Sequence, residues 1–117
     1  MNFKVFIPCC DESLPVIKIN SYLFNKFWPD VKVVYLGFQK PEYEFYSKNH
    51  QFVSLSEKQI GGSSSWSTYI YEYLKNIDDE IIMFSIDDYL LCDTPNYNMI
   101  DIAYKLINSN KKIGRFD

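Results

Sequence analysis

The run Ile81-Ile82-Met83-Phe84-Ser85-Ile86 carries no charge and no polar alternation, and Asp87-Asp88 follow it at once. A strand with one wet face alternates apolar and polar residues. A run without that alternation predicts a central parallel strand covered on both faces. Such a strand needs amphipathic helices above and below it, and the rest of the chain supplies them.

Phe3-Lys4-Val5-Phe6-Ile7 reads as a first buried strand, stopped at Pro8. Pro8 to Ser13 is a loop. Ser13 is placed to cap a helix with Pro15 in its first turn. Val16, Leu23, Phe24, Phe27 and Trp28 recur along that helix, and Pro29-Asp30 stops it. Lys32-Val33-Val34-Tyr35-Leu36 is the second strand, ended by Gly37. Pro41 to Asn49 is polar and aromatic and is expected to form one or two helical turns. Phe52-Val53-Ser54-Leu55 is a weaker third strand. Gly61-Gly62-Ser63-Ser64-Ser65 is a flexible loop that caps the next helix.

In that helix Trp66, Tyr69, Ile70, Tyr73, Leu74 and Ile77 fall at i, i+3, i+4, i+7, i+8 and i+11, one continuous apolar stripe. Asp78-Asp79-Glu80 breaks it before the fourth strand. A loop through Asp93-Thr94-Pro95-Asn96 leads to a last helix with Met99, Ile100, Ala103, Tyr104 and Ile107 as its apolar positions. Ile113 to Asp117 reads as the start of a fifth strand. The alternation predicts one α/β domain over residues 1–117: a mostly parallel, Rossmann-like open sheet of four to five strands with helices on both faces. With 47% apolar residues the chain can fill a core.

The net charge is -3, and the only adjacent pair of lysines is Lys111-Lys112. Without clustered cations to replace counterions, nucleic acid is not the expected partner. No apolar run approaches the roughly 18 to 20 residues of a membrane span. Three cysteines, two of them adjacent (Cys9, Cys10, Cys92), do not make a disulfide framework or a zinc motif. They are expected to be buried free thiols, and the chain to be cytoplasmic. His50, the only histidine, lies in a polar connection and is expected to be exposed.

In open α/β sheets ligands bind beyond the carboxyl ends of the strands. Two segments there carry chemistry: Pro8-Cys9-Cys10-Asp11-Glu12 after the first strand, and Asp87-Asp88 after the fourth. Adjacent carboxylates leaving an apolar strand suit Mg²⁺ or Mn²⁺, which would bridge phosphate oxygens. They equally suit the cap of the following turn, because Asp is frequent there.

The segment Gly61 to Ser67, its helix, and Ile81 through Leu91 resemble the core of GT-A glycosyltransferases. Bacterial and viral branches of that superfamily share the pieces seen here as Trp66-Ser67, Leu74-Lys75-Asn76-Ile77 and Asp87-Asp88-Tyr89. Val5-Phe6-Ile7-Pro8-Cys9 is similar to the first strand and base-binding loop of the same fold. The resemblance implies a donor-binding half that transfers sugar from a nucleoside-diphosphate sugar, UDP-linked by preference, to an acceptor it does not specify. Asp87 and Asp88 would stand in for the DxD motif and hold Mn²⁺ or Mg²⁺ on the diphosphate. The family's Asp-x-Asp spacing is absent, so one carboxylate would reach the metal while the other contacts sugar or ribose. Pro8, Cys9, Asp11 and Glu12 would line base and ribose, with Asp11 alternatively a surface cap. Gly61, Gly62 and Ser63 would let backbone approach the nucleotide, or serve as a plain helix entry. Trp66 would wall the donor site, or belong to the core.

No catalytic base is assigned. In inverting enzymes of this fold it follows a fifth strand, and Asp117, the final residue, is poorly placed for the role. The expectation is either a fragment of a longer enzyme, its acceptor side in a missing C-terminal half, or a reduced relative that binds without turning over, with a homo-oligomer or the missing half as the expected protein partner. The competing reading is a non-catalytic α/β binding or assembly module derived from the same fold, for which ten tyrosines suit an interface. A P-loop is excluded by the lack of GxxxxGK[ST], and the first βα turn lacks GxGxxG. The glycine-free loop after the first strand argues against a nucleotidylyltransferase. The acidic pair ends the fourth strand rather than the first, unlike a phospho-acceptor receiver.

Overall fold

Side chains alternate in face along the first strand: Val5 and Ile7 lie on one side of the sheet and Phe6 on the other, and all three are buried. That is the signature of a strand flanked on both edges and covered on both faces. The computed structural model describes residues 3–56, 66–78 and 81–110. Among them β1 (Lys4–Pro8), α1 (Leu14–Phe27), β2 (Lys32–Gly37), β3 (His50–Ser54), α2 (Trp66–Leu74), β4 (Met83–Phe84) and α3 (Tyr97–Ser109) follow in order.

The sheet has the order β3-β2-β1-β4, and every pairing is parallel. The α/β class expected from the sequence is therefore the class of the fold. Lys4 pairs with Lys32 and Pro8 with Leu36; on the other edge Val5 pairs with Met83 and Phe6 with Phe84. One face of the sheet carries Val5, Ile7, Val33 and Tyr35 against Ile17, Phe24 and Trp28, with Ile100 of α3 at its margin. The other carries Phe6, Val34 and Leu36 against Ile70, with Tyr73, Leu74 and Ile77 around it. Helices thus cover both faces, and each fully buried apolar side chain contributes roughly 1.5–3 kcal/mol. No helix among the described residues is long and apolar enough to cross a membrane.

Several local expectations are corrected. The buried positions of α1 are Ile17, Asn20, Ser21 and Phe24, spaced i, i+3, i+4 and i+7. The buried stripe therefore includes two polar residues, which an apolar count passes over, and leaves Val16, Leu23 and Phe27 at its flanks. Ser13 stands at the N-cap but makes no side-chain cap to α1. Its hydroxyl donates instead to the Cys10 carbonyl at 2.9 Å, closing a 3-10 turn at Asp11–Ser13.

Pro41 to Asn49 forms no helix. Tyr43 and Phe45 pack as rings, Phe45 stacked on Tyr35 at 4.8 Å, and ring packing fixes this connection where a helix would not. The fourth strand is only Met83–Phe84, and Phe84 is 48% exposed. It lies at the edge of the described sheet instead of its centre, because β1 is its one described neighbour. Ile113 to Asp117, the expected fifth strand, lies outside the described residues.

His50 is the largest departure: it is 7% exposed, at the start of β3. Its Nδ1 lies 2.7 Å from Ser21 Oγ, and the rings of Phe24, Tyr35 and Phe45 meet it edge-on. Nε2 has no hydrogen-bond partner among the described residues. Burial pushes the imidazole down from 6.5 to about 4, since the charged ring would lose its hydration there.

Two stability predictions follow from this packing. His50 must be neutral in the fold, whereas the unfolded chain protonates it near its ordinary value. The stabilisation is complete above pH 6.5 and is lost as pH falls toward 4. Urea unfolding should show a loss on the order of 2–3 kcal/mol over that window that is missing in His50→Gln, the difference removing the carboxylates that titrate alongside. At Gly37, a Cβ would meet Cys9 Sγ and Phe52 Cζ, both at 2.8 Å. Gly37→Ala should cost about 1–3 kcal/mol by the same measurement.

Candidate functional site

The sheet changes direction between β1 and β4: the chain builds outward from β1 to β2 and β3, then returns to the opposite edge. The crevice beyond the carboxyl ends of two strands that diverge in this way is where open α/β sheets bind ligands. The loops that open onto it are the ones after β1 and β4. Ser85 N donates to Phe6 O at 3.0 Å, which carries the β1–β4 register one step past the strand. Continued in that register, Asp87 falls level with Cys9.

Asp87 and Asp88 form the centre of a turn that Tyr89 N closes by donating to Ile86 O at 3.2 Å. Asp87 is half-buried and Asp88 exposed. Under the turn, Asn20 Nδ2 donates to the carbonyls of Asp87 at 3.3 Å and Tyr89 at 3.5 Å. Its Oδ1 accepts from Tyr35 Oη at 2.7 Å. Tyr35 is fully buried, and burial pushes its phenol well above the usual value, so it stays a hydroxyl.

On the β1 side, Cys9 is buried at the strand end. Its N–H donates to Leu36 O at 2.8 Å and its thiol reaches the same oxygen at 3.6 Å. Burial, and after it the nearby charge of Asp87, pushes the thiol up to about 12. Cys9 is therefore a packed thiol and not a nucleophile. The Asp87 carboxylate lies close enough to Cys9 for its charge to act on the thiol, in agreement with the register. Cys10 N donates to Ser13 Oγ at 3.1 Å. An Asp11 carboxylate oxygen accepts from Gln39 N at 3.0 Å, tying the loop after β1 to the loop after β2. Pro8 is half-buried and Glu12 exposed.

The structure thus brings Pro8, Cys9, Asp11, Asp87 and Asp88 to one end of the sheet. Asp11 acts in the fold as the cap of the Gln39 amide. Gly61, Gly62 and Ser63 lie outside the described residues. Trp66 opens α2 and is 42% exposed, so it is not a core residue. Nor are all the thiols buried: Cys10 is half-buried and Cys92 exposed, although all three are unpaired.

Among the described residues no group of three or more His, Cys, Asp and Glu side chains is arranged to hold a metal ion. Two adjacent carboxylates alone do not cage a cation. They do match the way Mg²⁺ and Mn²⁺ are held when phosphate oxygens and water complete the shell, with one or two carboxylates from protein. A divalent ion brought by a phosphorylated ligand would have the carboxylates of Asp87 and Asp88 to draw on. Compared with protein-family models, curated proteins and solved structures, the chain matches none.

Asn20 and Tyr35 were not candidates on sequence grounds. The signal was present: Asn20 and Ser21 interrupt the i, i+3, i+4, i+7 stripe of an amphipathic helix, where a polar side chain needs a buried partner.

Alkylation distinguishes the thiols. Under native conditions iodoacetamide should modify exposed Cys92 well before Cys9, and Cys9 only on denaturation. Peptide mapping by mass spectrometry gives the order, and early modification of Cys9 would contradict its packing.

Proposed function

We propose that the chain is the donor-binding half of a GT-A-type glycosyltransferase, taking a nucleoside-diphosphate sugar whose diphosphate carries Mn²⁺ or Mg²⁺ to Asp87 and Asp88. The observation that supports this reading is the position of the acidic turn, at the carboxyl end of β4 and level with the end of β1. The resemblance of Trp66-Ser67 and Asp87-Asp88-Tyr89 to that superfamily points the same way. When bound, the ion would neutralise charge on the departing diphosphate. Asp87 and Asp88 would orient that charge, and the loop from Pro8 to Glu12 would flank base and ribose. Three unpaired thiols suit a reducing, cytoplasmic setting.

A second reading, an assembly module of the same fold, draws on a different observation. Phe84, Ile86 and Leu90 around β4 are exposed, as are Met99, Ile102 and Leu106 of α3. Exposed large apolar side chains in such number favour a surface that meets another protein.

Calorimetry of the folded chain with UDP and UDP-sugars, in Mn²⁺ and again in EDTA, separates the two. The expected result is binding that requires Mn²⁺, lost in Asp88→Asn at an unchanged unfolding midpoint. No binding to any nucleotide under either condition, together with concentration-dependent self-association, would overturn the transferase reading in favour of the module.

A further inference from the structure

We propose that Asn20, oriented by Tyr35, is the positioning residue of the acidic turn: it holds the main chain of Asp87 and Tyr89 so that both carboxylates are presented together. The functional part of this inference rests on the donor-binding reading of the turn; the mechanical part does not.

Asn20 lies mid-way along α1 and is fully buried. An Asn in a helix interior is a poorer helix former than Leu or Ala. Burying its amide costs free energy unless every polar atom finds a partner. Here each does. The acceptor takes the Tyr35 hydroxyl proton, and the amide nitrogen serves two carbonyls more than sixty residues away in sequence. The Tyr35 hydroxyl decides which way the amide faces. With its proton on Oδ1, the nitrogen must point to the turn. The reverse orientation would set Oδ1 against two carbonyl oxygens.

The turn itself needs such a hold. It follows a strand of two residues with one described neighbour, and it carries carboxylates on two consecutive residues. Coulomb repulsion between adjacent carboxylates favours opening the turn. Asn20 resists this by gripping the main chain on both sides of Asp88, which leaves both carboxylates uncovered by its amide. A salt bridge would have steadied the turn only by consuming a carboxylate. A group that merely filled the core at this place would be apolar.

The double variant Asn20→Leu/Tyr35→Phe separates these roles, because it removes both partners of the bond between them, leaving neither side chain unpaired, and takes the hold away from the carbonyls of Asp87 and Tyr89. Amide hydrogen exchange by NMR reads the turn through Tyr89 N–H, and calorimetry with UDP and Mn²⁺ reads the site. The expected result is Tyr89 exchange about tenfold faster with β1 and β2 amides unchanged, and UDP–Mn²⁺ affinity lowered about tenfold or more, as for other supports of metal ligands. Tyr35→Phe alone, which keeps Asn20 in place, should shift both in the same direction by less. It stands in if the double variant does not fold. Unchanged Tyr89 exchange and unchanged affinity would overturn the proposal. So would Tyr89 and strand amides losing protection in step, which is the behaviour of a merely structural residue. If the wild-type chain binds no UDP with or without Mn²⁺, the donor-site reading falls, and Tyr89 exchange still decides whether Asn20 holds the turn.

Discussion

Parallel pairing of β1 on both of its edges is the constraint from which the rest of the structure follows. Parallel neighbours cannot be joined by tight hairpins, so each pairing needs a longer crossover, and all but the helix-free connection from β2 to β3 lay a helix on a face of the sheet. The crossover between β1 and β2 carries α1, and the one between β3 and β4 carries α2. The two helices lie on opposite faces, one over Val5, Ile7 and Tyr35 and the other over Phe6, Val34 and Leu36. Because β2 and β4 leave β1 in opposite directions, their connecting loops part at its carboxyl end. The position of the acidic turn is thus a consequence of topology before it is a matter of chemistry.

Within that frame, polar burial is concentrated in one place. Asn20, Ser21 and His50 are the buried polar residues among the described ones, and they cluster around Tyr35 on a single face of the sheet. Ser21 Oγ meets His50 Nδ1 and accepts from Tyr46 N at 3.3 Å, and the Ser21 hydroxyl lies beside the Tyr35 phenol. The cluster therefore runs from the amino end of β3 across α1 to the turn after β4. Such a network is stable only when its members are satisfied together. His50 Nε2 is the one atom of it without a partner among the described residues, and burial of that ring is why acid should act on this cluster first.

What was legible in the sequence was what depends on period and on punctuation. Alternating apolar runs and helical stripes gave the α/β class and the parallel sheet, and Pro8 and Gly37 mark strand ends where they stand in the fold. What was not legible depends on partners distant in sequence. Nothing near His50 announces that Ser21 and three aromatic rings will enclose it. Nothing in Pro41 to Asn49 shows that Phe45 will stack on Tyr35 in place of a helical turn. The uniform run Ile81 to Ile86 was read as a central strand because it is apolar throughout. In the fold only two of its residues pair, and the apolar remainder stays partly exposed. Of the candidate site, the acidic pair was visible and its support was not, because Asn20 resembles any other polar residue until its place on the buried stripe is known.

The support also limits the chemistry available to the turn. The carbonyls of Asp87 and Tyr89 are already engaged by Asn20, so the main chain there is directed inward, toward the helix. Any cation brought to this place must rely on the carboxylates, one half-buried beside Cys9 and the other exposed. Two carboxylates would hold such a cation only in part and would leave the rest of its coordination to water and to the ligand. On the donor-binding reading proposed above, such a site would gain affinity for the ion only when a phosphate arrives with it. Ion and phosphorylated ligand would then bind as one unit, with the turn selecting for the pair and not for either alone.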